Sequence, residues 1–206
     1  MPDYSKLDHL SLKAQKEGYP ARSVYKLKEI DEKFSIFMPK DRASFRVLDL
    51  GAAPGSWSLY VLRKLKSVSL VSVDLSPLSR QFDQGLFDKE EFNFIQGDFT
   101  QEEIRAAILA QQPYNLVISD AAPATSGNRS LDTLRSLDLA EIALGYAETA
   151  LAEGGAFVVK VFQGGDTSSL LKDIRSAFKT GKSFKPAACR PESFETYYLG
   201  LGKLKR

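Results

Sequence analysis

The sequence predicts an α/β fold in which a mostly parallel, seven-stranded sheet carries helices on both faces. Five short apolar runs alternate with amphipathic segments, which is typical of a doubly wound sheet. The chain has 206 residues, of which 43% are hydrophobic and 26% charged, as expected for one globular domain. Because no internal repeat or domain boundary interrupts the pattern, we expect a single domain over 1–206, with a basic extension and helix at 1–34.

Each predicted element follows from the spacing of apolar residues. A helix over 20–34 has an apolar stripe at helical spacing. Five strands are predicted at 46–50, 68–74, 92–96, 115–120 and 156–161. Helices are predicted near 55–65, 77–87, 101–111 and 132–152, and the last is expected to end at Glu153-Gly154-Gly155 because glycine favours helix C-termini. A helix over 167–179 and a strand pair near 182–188 and 195–202 follow.

Polar residues or glycines stand at the carboxyl ends of the five apolar strands. Continuous apolar strands are buried on both faces, so their ends meet at one edge of the sheet, where open α/β folds bind ligands. The residues at these ends are Asp49 with Gly51, Asp74, Asp98, Asp120 and Lys160. Each aspartate taken alone is also compatible with a helix cap, but the ordered series predicts a binding site.

The loop from Gly51 to Gly55 leads from the first strand into a helix N-terminus and suggests a nucleotide-like ligand. Ala53 stands where a dinucleotide fingerprint needs its second glycine, which disfavours a nicotinamide cofactor. Acids on the neighbouring strands suit a cationic ligand, so we expect S-adenosylmethionine. Asp74 would accept from its ribose hydroxyls and Asp98 from its adenine amino group.

Trp57 and Lys160 are two further candidate site residues. Trp57 can flank the ligand or pack behind the loop, and we expect the first. Lys160 lies within an otherwise apolar strand, and a buried ammonium is costly unless it is paired. Asp120 and Glu195 are its candidate partners, in either a structural ion pair or a catalytic centre.

Composition limits the class of protein. No apolar run is long enough to span a membrane, and residues 1–6 lack the apolar core of a signal peptide. The single cysteine, Cys189, excludes an internal disulfide. Together these features indicate the cytoplasm or an organelle matrix, and we expect a cytoplasmic location. His9 and Cys189 have no partners at the spacing of metal ligands or catalytic triads, so no metal is expected.

Positive charge is concentrated near the two ends of the sequence, although the formal net charge is only +2. Residues 5–28 carry six Lys and Arg against two acids, and residues 172–206 carry nine against three. Basic ends around an acidic body suggest a polyanionic partner, whereas solvated tails would have the same composition. Charge alone leaves both interpretations open.

Five segments together resemble the FtsJ family of RNA 2′-O-ribose methyltransferases: RSVYKL at 22–27, DLGAAPG at 49–55, SDAAP at 119–123, VVKVFQG at 158–164 and RPESFETY at 190–197. The resemblance implies a Rossmann-like methyltransferase fold and a bound S-adenosylmethionine. It implies cofactor contacts from a set of loop and strand-end residues: Gly51, Pro54, Gly55, Trp57, Asp74, Asp98 and Asp120. It also implies a catalytic tetrad of Lys26, Asp120, Lys160 and Glu195.

Two residues depart from the family pattern. Ser56 stands where the loop commonly has a second glycine, and Ala124 stands where an asparagine is usual. These departures leave open whether residue 56 contacts the cofactor and residue 124 the substrate.

The resemblance implies S-adenosylmethionine-dependent 2′-O-methylation of a ribose in RNA, with a uridine of large-subunit ribosomal RNA as the target. Methylation of transfer RNA or another RNA is an alternative, as is a non-catalytic ribosome-assembly factor that kept the fold. A small-molecule or protein methyltransferase has no need of Lys160 and basic ends. The expected partner is ribosomal RNA within the large subunit, with no DNA or membrane, and the expected state is a monomer.

In the expected mechanism Lys160 accepts the proton of the 2′-hydroxyl, Asp120 and Glu195 orient it, and Lys26 positions the ribose or a phosphate. The two basic segments would both adjoin this tetrad. Salt-dependent phosphate contacts are expected from several basic residues of the first segment: Lys6, Lys13, Lys16, Arg22 and Lys28.

Overall fold

The structure is a computed structural model that describes residues 8–37, 45–124, 126–164, 167–190 and 192–205. Its strands are β1 (Phe45–Leu50), β2 (Val68–Asp74), β3 (Phe92–Gln96), β4 (Tyr114–Ser119), β5 (Leu151–Phe162), β6 (Phe178–Phe184) and β7 (Glu195–Lys203). They form one seven-stranded sheet in the order β3-β2-β1-β4-β5-β7-β6. β7 runs antiparallel to both of its neighbours, whereas β1 to β5 pair in parallel.

The helices are α1 (His9–Lys16), α2 (Val24–Phe34), α3 (Ser56–Lys64), α4 (Glu102–Leu109), α5 (Arg129–Ala150) and α6 (Ser168–Ala177). They cover both faces of the sheet, and adjacent strand residues point to opposite sides. Val47 and Leu116 face the core under α1 to α3, while Leu48 and Val117 face the core under α4 to α6. The predicted doubly wound sheet is confirmed.

The prediction of a helix over 77–87 is wrong. Within this stretch the structure has only a 3₁₀ turn, Leu86–Asp88, preceded by irregular backbone. The polar groups of that backbone are satisfied by other segments: Ser79 N–H donates to Pro54 O at 3.0 Å, and Arg63 donates to Phe82 O at 2.7 Å. Tertiary hydrogen bonds have therefore replaced those of a helix.

The predicted end of the longest helix is also wrong. α5 stops at Ala150, and Glu153-Gly154-Gly155 lies inside β5, whose register with β4 shifts at this point. A Cβ on Gly155 would lie 2.9 Å from Ala152 O and 3.0 Å from Asn115 O. The glycine permits the close approach of β5 to β4 rather than capping the helix.

None of the described helices combines the length and hydrophobicity needed to cross a bilayer. Lys6, one of the predicted phosphate contacts, lies outside the described residues.

Candidate active site

A cavity of about 730 Å³ opens at the carboxyl edge of the parallel strands. Its wall is built from the loops that follow β1, β2, β3 and β4 and from one side of α5. The lining includes Gly51, Ala53, Asp74, Leu75, Asp98, Phe99, Asp120, Pro123, Arg135 and Ile142. The strand ends therefore meet where the order of polar residues predicts.

The loop after β1 is held tightly beneath this cavity. Gly51 has a φ of +75°, and a Cβ on it would lie 2.5 Å from Ala121 Cα, so only glycine fits. The amides of Gly51 and Ala52 donate to Val73 O at 2.9 and 3.1 Å. The loop backbone is thereby fixed to the end of β2 and presents a preformed floor.

Two predicted ligand acids stand in the cavity wall. Asp74 accepts hydrogen bonds from Ala53 N–H at 2.9 Å and from Ser76 N–H at 2.8 Å. Asp98 accepts from Thr100 N–H at 2.9 Å. These bonds fix both carboxylates, and because each carboxylate has about four lone-pair sites, capacity remains for ligand hydroxyl or amino groups.

The structure places three predicted cofactor residues outside the cavity lining: Pro54, Gly55 and Trp57. Pro54 uses its carbonyl to accept from Ser79 N–H, and Gly55 is the N-cap of α3. Trp57 is only 2% exposed and packs behind the loop, with its Nε1 donating to Ser23 O. The indole thus takes the position that we considered and did not favour.

Four side chains at one side of the cavity form two ion pairs. Lys26 Nζ lies 2.8 and 2.9 Å from the two carboxylate oxygens of Glu195. Lys160 Nζ lies 3.1 Å from Asp120 Oδ1 and donates to the Asp120 carbonyl at 2.5 Å. All four side chains are at most 15% exposed. The residues of the implied tetrad are therefore brought together.

The direction of β7 explains how Glu195 joins this group. Because β7 is antiparallel, its first residue lies at the edge where β5 ends, and Glu195 pairs with Phe162. Two residues further on, Tyr197 pairs with Lys160. Lys26 comes from the first turn of α2, which packs over this edge of the sheet.

The charges in this group shift the pKa values of Lys26 and Asp120. Burial alone would lower the pKa of Lys26, but the carboxylates of Asp120 and Glu195 outweigh it and raise that pKa. Burial would likewise raise the pKa of Asp120, and Lys160 and Lys26 outweigh it and hold the pKa below its usual value. Both groups are held charged at neutral pH.

Two neighbours of the tetrad were missed from the sequence. The Tyr197 hydroxyl, fully buried, donates to Asp120 Oδ1 at 2.7 Å. Cys189 hydrogen-bonds Glu195, and burial raises the pKa of its thiol to about 12, so the thiol stays protonated. The two-residue spacing of Glu195 and Tyr197 on a strand places both on one face, which is a signal that could have found Tyr197.

Only part of the two basic segments adjoins the tetrad. Arg22 pairs with Asp8 and donates to Ala188 O at 2.6 Å, close to the start of β7. Phe184 of β6 pairs with Tyr197, but Phe178 pairs with Lys203, so the opposite strand ends lie about 20 Å away. Within the segment 172–206, Glu195 therefore belongs to the tetrad, whereas Lys179 and Lys203 lie at the far ends of their strands.

Within the described ranges, no group of three or more His, Cys, Asp or Glu side chains could hold a metal ion.

Known proteins are similar to this chain in sequence and in fold. Residues 19–203 match the family of FtsJ-like methyltransferases. Ribosomal RNA large subunit methyltransferase E of Treponema denticola is 53% identical over 96% of each chain. The protein of that name from Nitratidesulfovibrio vulgaris is 45% identical over 95% of this chain and 94% of its own.

Two solved structures have a similar fold. A ribosomal RNA methyltransferase structure from Plasmodium falciparum has a TM-score of 0.73 and 25% identity, covering 91% of this chain and all of its own. The fibrillarin/Nop5p complex, at 19% identity and a TM-score of 0.60, shares the fold over 87% of this chain and 82% of its own. The sequence match over nearly the whole chain and the shared fold show that this protein belongs to the FtsJ-like methyltransferase family.

Proposed function

We propose that the protein transfers a methyl group from S-adenosylmethionine to the 2′-hydroxyl of a ribose in RNA, with a uridine of large-subunit ribosomal RNA as its target. The observation that carries the proposal is the double role of Asp120. Asp120 lines the cavity, and it also pairs with Lys160 in the tetrad. A cofactor in the cavity and a ribose at the tetrad would therefore share one boundary.

The cavity suits S-adenosylmethionine by its charge. Its lining includes four aspartates, Asp74, Asp98, Asp120 and Asp138, and one arginine, Arg135. This balance favours a ligand with a cationic centre over one with phosphates. In this proposal Asp74 would accept from the ribose hydroxyls and Asp98 from the adenine amino group, and Gly51 and Ala53 would hold the methionine end.

When bound, S-adenosylmethionine supplies an electrophilic methyl carbon, so the protein has to align the attacking oxygen and take up one proton. Lys160 Nζ, in its neutral form, would accept the proton of the 2′-hydroxyl as the new carbon–oxygen bond forms. Asp120 fixes this nitrogen through its carboxylate and its carbonyl. Tyr197 in turn fixes the Asp120 carboxylate.

Glu195 has a different partner from the one we expected. Its carboxylate binds Lys26, not Lys160, with both oxygens within 2.9 Å of Lys26 Nζ. Glu195 therefore orients Lys26, and Asp120 is the acid that orients Lys160 among the described residues. Lys26 then offers a fixed positive charge to the ribose or to an adjoining phosphate.

The names of the relatives support ribosomal RNA as substrate, since those from Treponema denticola and Nitratidesulfovibrio vulgaris are both large-subunit ribosomal RNA methyltransferases. We place the reaction in the cytoplasm, on RNA within the large subunit, and carried out by a monomer. Phosphate contacts would come from exposed cations near the tetrad, among them Lys185 and Arg190.

Replacing Lys160 with methionine tests the mechanism. The variant removes the proton acceptor, so methyl transfer should fall by at least about a hundredfold. Lys89→Met, at an exposed position beside β3 on the opposite edge of the sheet, is the matched control and should retain activity. Labelled methyl transfer to large subunits from cells lacking this enzyme gives the rate, and nuclease digestion identifies the methylated nucleotide.

Calorimetry with S-adenosylmethionine checks that both variants still bind the cofactor. Near-normal turnover by Lys160→Met would contradict the assigned role of Lys160. Methylation of transfer RNA instead of large subunits would show that transfer RNA is the target. A parent protein that binds subunits without methylating them would indicate an assembly factor.

A further inference from the structure

An aromatic pair lies directly beside the tetrad, where β5 ends and β7 begins. The centroid of the Phe162 ring is 6.0 Å from Lys160 Nζ. Phe194, the residue before Glu195, packs edge-on against Phe162, with the ring centroids 4.7 Å apart and 64° between the ring planes. The backbone is fixed at this point, because Gln163 N–H donates to Phe194 O at 2.7 Å. Phe162 is buried, whereas Phe194 is only half-buried.

The guanidinium of Arg129, the first residue of α5, lies over the Phe194 ring. Its Cζ is 5.1 Å from the ring centroid, and its Nη2 donates to Gln163 O at 3.4 Å. A Cβ on Gly164 would lie 3.3 Å from Arg129 Nε, so the glycine leaves room for this side chain. Because Arg129 is exposed and its guanidinium is planar, a flat cation lies next to a flat ring at the surface.

The buried position of the tetrad limits how an RNA can reach it. Its four side chains are at most 15% exposed, so a 2′-hydroxyl has to enter between other residues to approach Lys160 Nζ. A nucleotide that is turned out of its stack can do so, and its base then loses the contacts with its neighbours. The base is bonded to the ribose carbon next to the one that carries the 2′-hydroxyl. It is therefore brought to the surroundings of Lys160, where Phe162 and Phe194 lie.

Cations for the adjoining phosphates stand on both sides of the aromatic pair. Lys185 is exposed, and its Nζ donates to Ser193 O at 2.6 Å, one residue before Phe194. Lys26 Nζ lies on the other side, bonded to Glu195. Proteins that bind unpaired nucleic acid combine aromatic and guanidinium faces for the bases with cations for the backbone.

We propose that Phe194 and Arg129, backed by Phe162, form the stacking site for the base of the nucleotide that is methylated. This inference rests on the proposed function. The stack replaces the contacts that the base loses when it is turned out, and it holds the 2′-hydroxyl at Lys160. Because every base has a π face, such a site selects an unpaired nucleotide rather than one particular base.

Two variants of Phe194 separate stacking from packing. Phe194→Leu removes the flat face and keeps an apolar side chain against Phe162, so kcat/KM for large subunits should fall about tenfold. Phe194→Tyr keeps the ring and should stay within about twofold of the parent.

Arg129→Lys tests the guanidinium in the same way. It keeps the positive charge and removes the planar group, so kcat/KM should fall by a smaller factor than in Phe194→Leu. The slope of subunit affinity against salt concentration should stay parental, because the number of phosphate contacts is unchanged.

Phe37→Leu is the matched control. Phe37 also packs edge-on against an aromatic ring, that of Tyr60 at 5.8 Å, and also lies beneath a cation, Lys64 Nζ at 5.8 Å. Lys64 is the last residue of α3, so this cluster lies at the end of the helix away from the cofactor loop. Thermal unfolding gives the folded fraction of every variant, and kcat/KM is referred to that fraction. If Phe194→Leu does not fold, Arg129→Lys carries the comparison.

A loss of kcat/KM in Phe194→Leu that Phe194→Tyr restores, with the control at the parental value, supports the inference. Parental kcat/KM in Phe194→Leu overturns it, as does an equal loss in Phe194→Tyr or in Phe37→Leu. Weaker binding of S-adenosylmethionine by Phe194→Leu in calorimetry also overturns it, because Phe194 would then act through the cofactor. A parent protein that transfers no methyl group overturns the proposed function, and this inference with it.

Discussion

Asp49 gives the most direct test of the electrostatics beneath the cofactor loop. Its side chain is fully buried in β1, and its Oδ2 accepts from Ser58 Oγ at 2.7 Å. Its Oδ1 has no hydrogen-bond partner among the described residues. Burial, more than the nearby charges of Asp120 and Asp74, raises the pKa of this carboxyl from 3.8 to about 7.

A raised pKa makes stability depend on pH in a defined direction. Between pH 3.8 and about 7 the folded protein keeps a proton on Asp49 that the unfolded chain has released. The contribution of Asp49 to stability is therefore fully present below the unfolded pKa and is lost as pH rises through this window. Integrated from pH 5 to pH 8, the loss is about 2.5 kcal/mol.

Asp49→Asn removes the titration while keeping the shape of the side chain. The difference in free energy of unfolding, variant minus parent, should therefore rise by about 2.5 kcal/mol between pH 5 and pH 8. Urea unfolding at several pH values measures it, and the fluorescence of the buried Trp57, the single tryptophan of the chain, reports the transition. Glu90→Gln, at an exposed position, is the control and should show no such trend.

A constant difference between Asp49→Asn and the parent across this pH range would refute the reasoning. It would mean that Asp49 is ionised in the folded protein throughout the range.

The remaining predictions concern the two ligands. Asp74→Asn should raise the dissociation constant of S-adenosylmethionine about tenfold or more, because a hydrogen bond to a charged group contributes about 1.5–3 kcal/mol; unchanged affinity in calorimetry would argue against Asp74 as a ribose ligand. RNA affinity, measured by fluorescence anisotropy, should fall steadily as salt rises from about 50 to 200 mM, because bound phosphates release counterions. A flat salt response would contradict contact between the basic residues and the RNA backbone.

Strands and strand ends were predictable from the sequence because their signals are local. Four of the apolar runs agree with β1 to β4 to within a residue, and the fifth, 156–161, covers only the second half of β5, since a strand buried on both faces has to be apolar throughout. Asp120 and Lys160 could be placed together because they end two neighbouring strands. The side of the sheet that holds the cavity followed from the same rule.

The features that could not be predicted from the sequence depend on contacts between distant segments of the chain. The pairing of Glu195 with Lys26 requires the insertion of β7 between β5 and β6 and the docking of α2, and neither is encoded in local periodicity. Trp57 packs behind the loop because Ser23 and Tyr197 provide the partners there. Residues 77–85 have helical periodicity, but their backbone forms hydrogen bonds to other segments of the chain instead of those of a helix.

The position of β7 has a consequence for the order in which the protein is made. β6 pairs with β7 and not with β5, so during synthesis β6 emerges before the strand that joins it to the sheet. Glu195 and Tyr197 arrive on that same strand. Until β7 is translated, the growing chain has neither a complete sheet nor the side chains that bond Lys26 and Asp120. A chain that ends before β7 therefore lacks half of the contacts that order the tetrad, and it should transfer no methyl group.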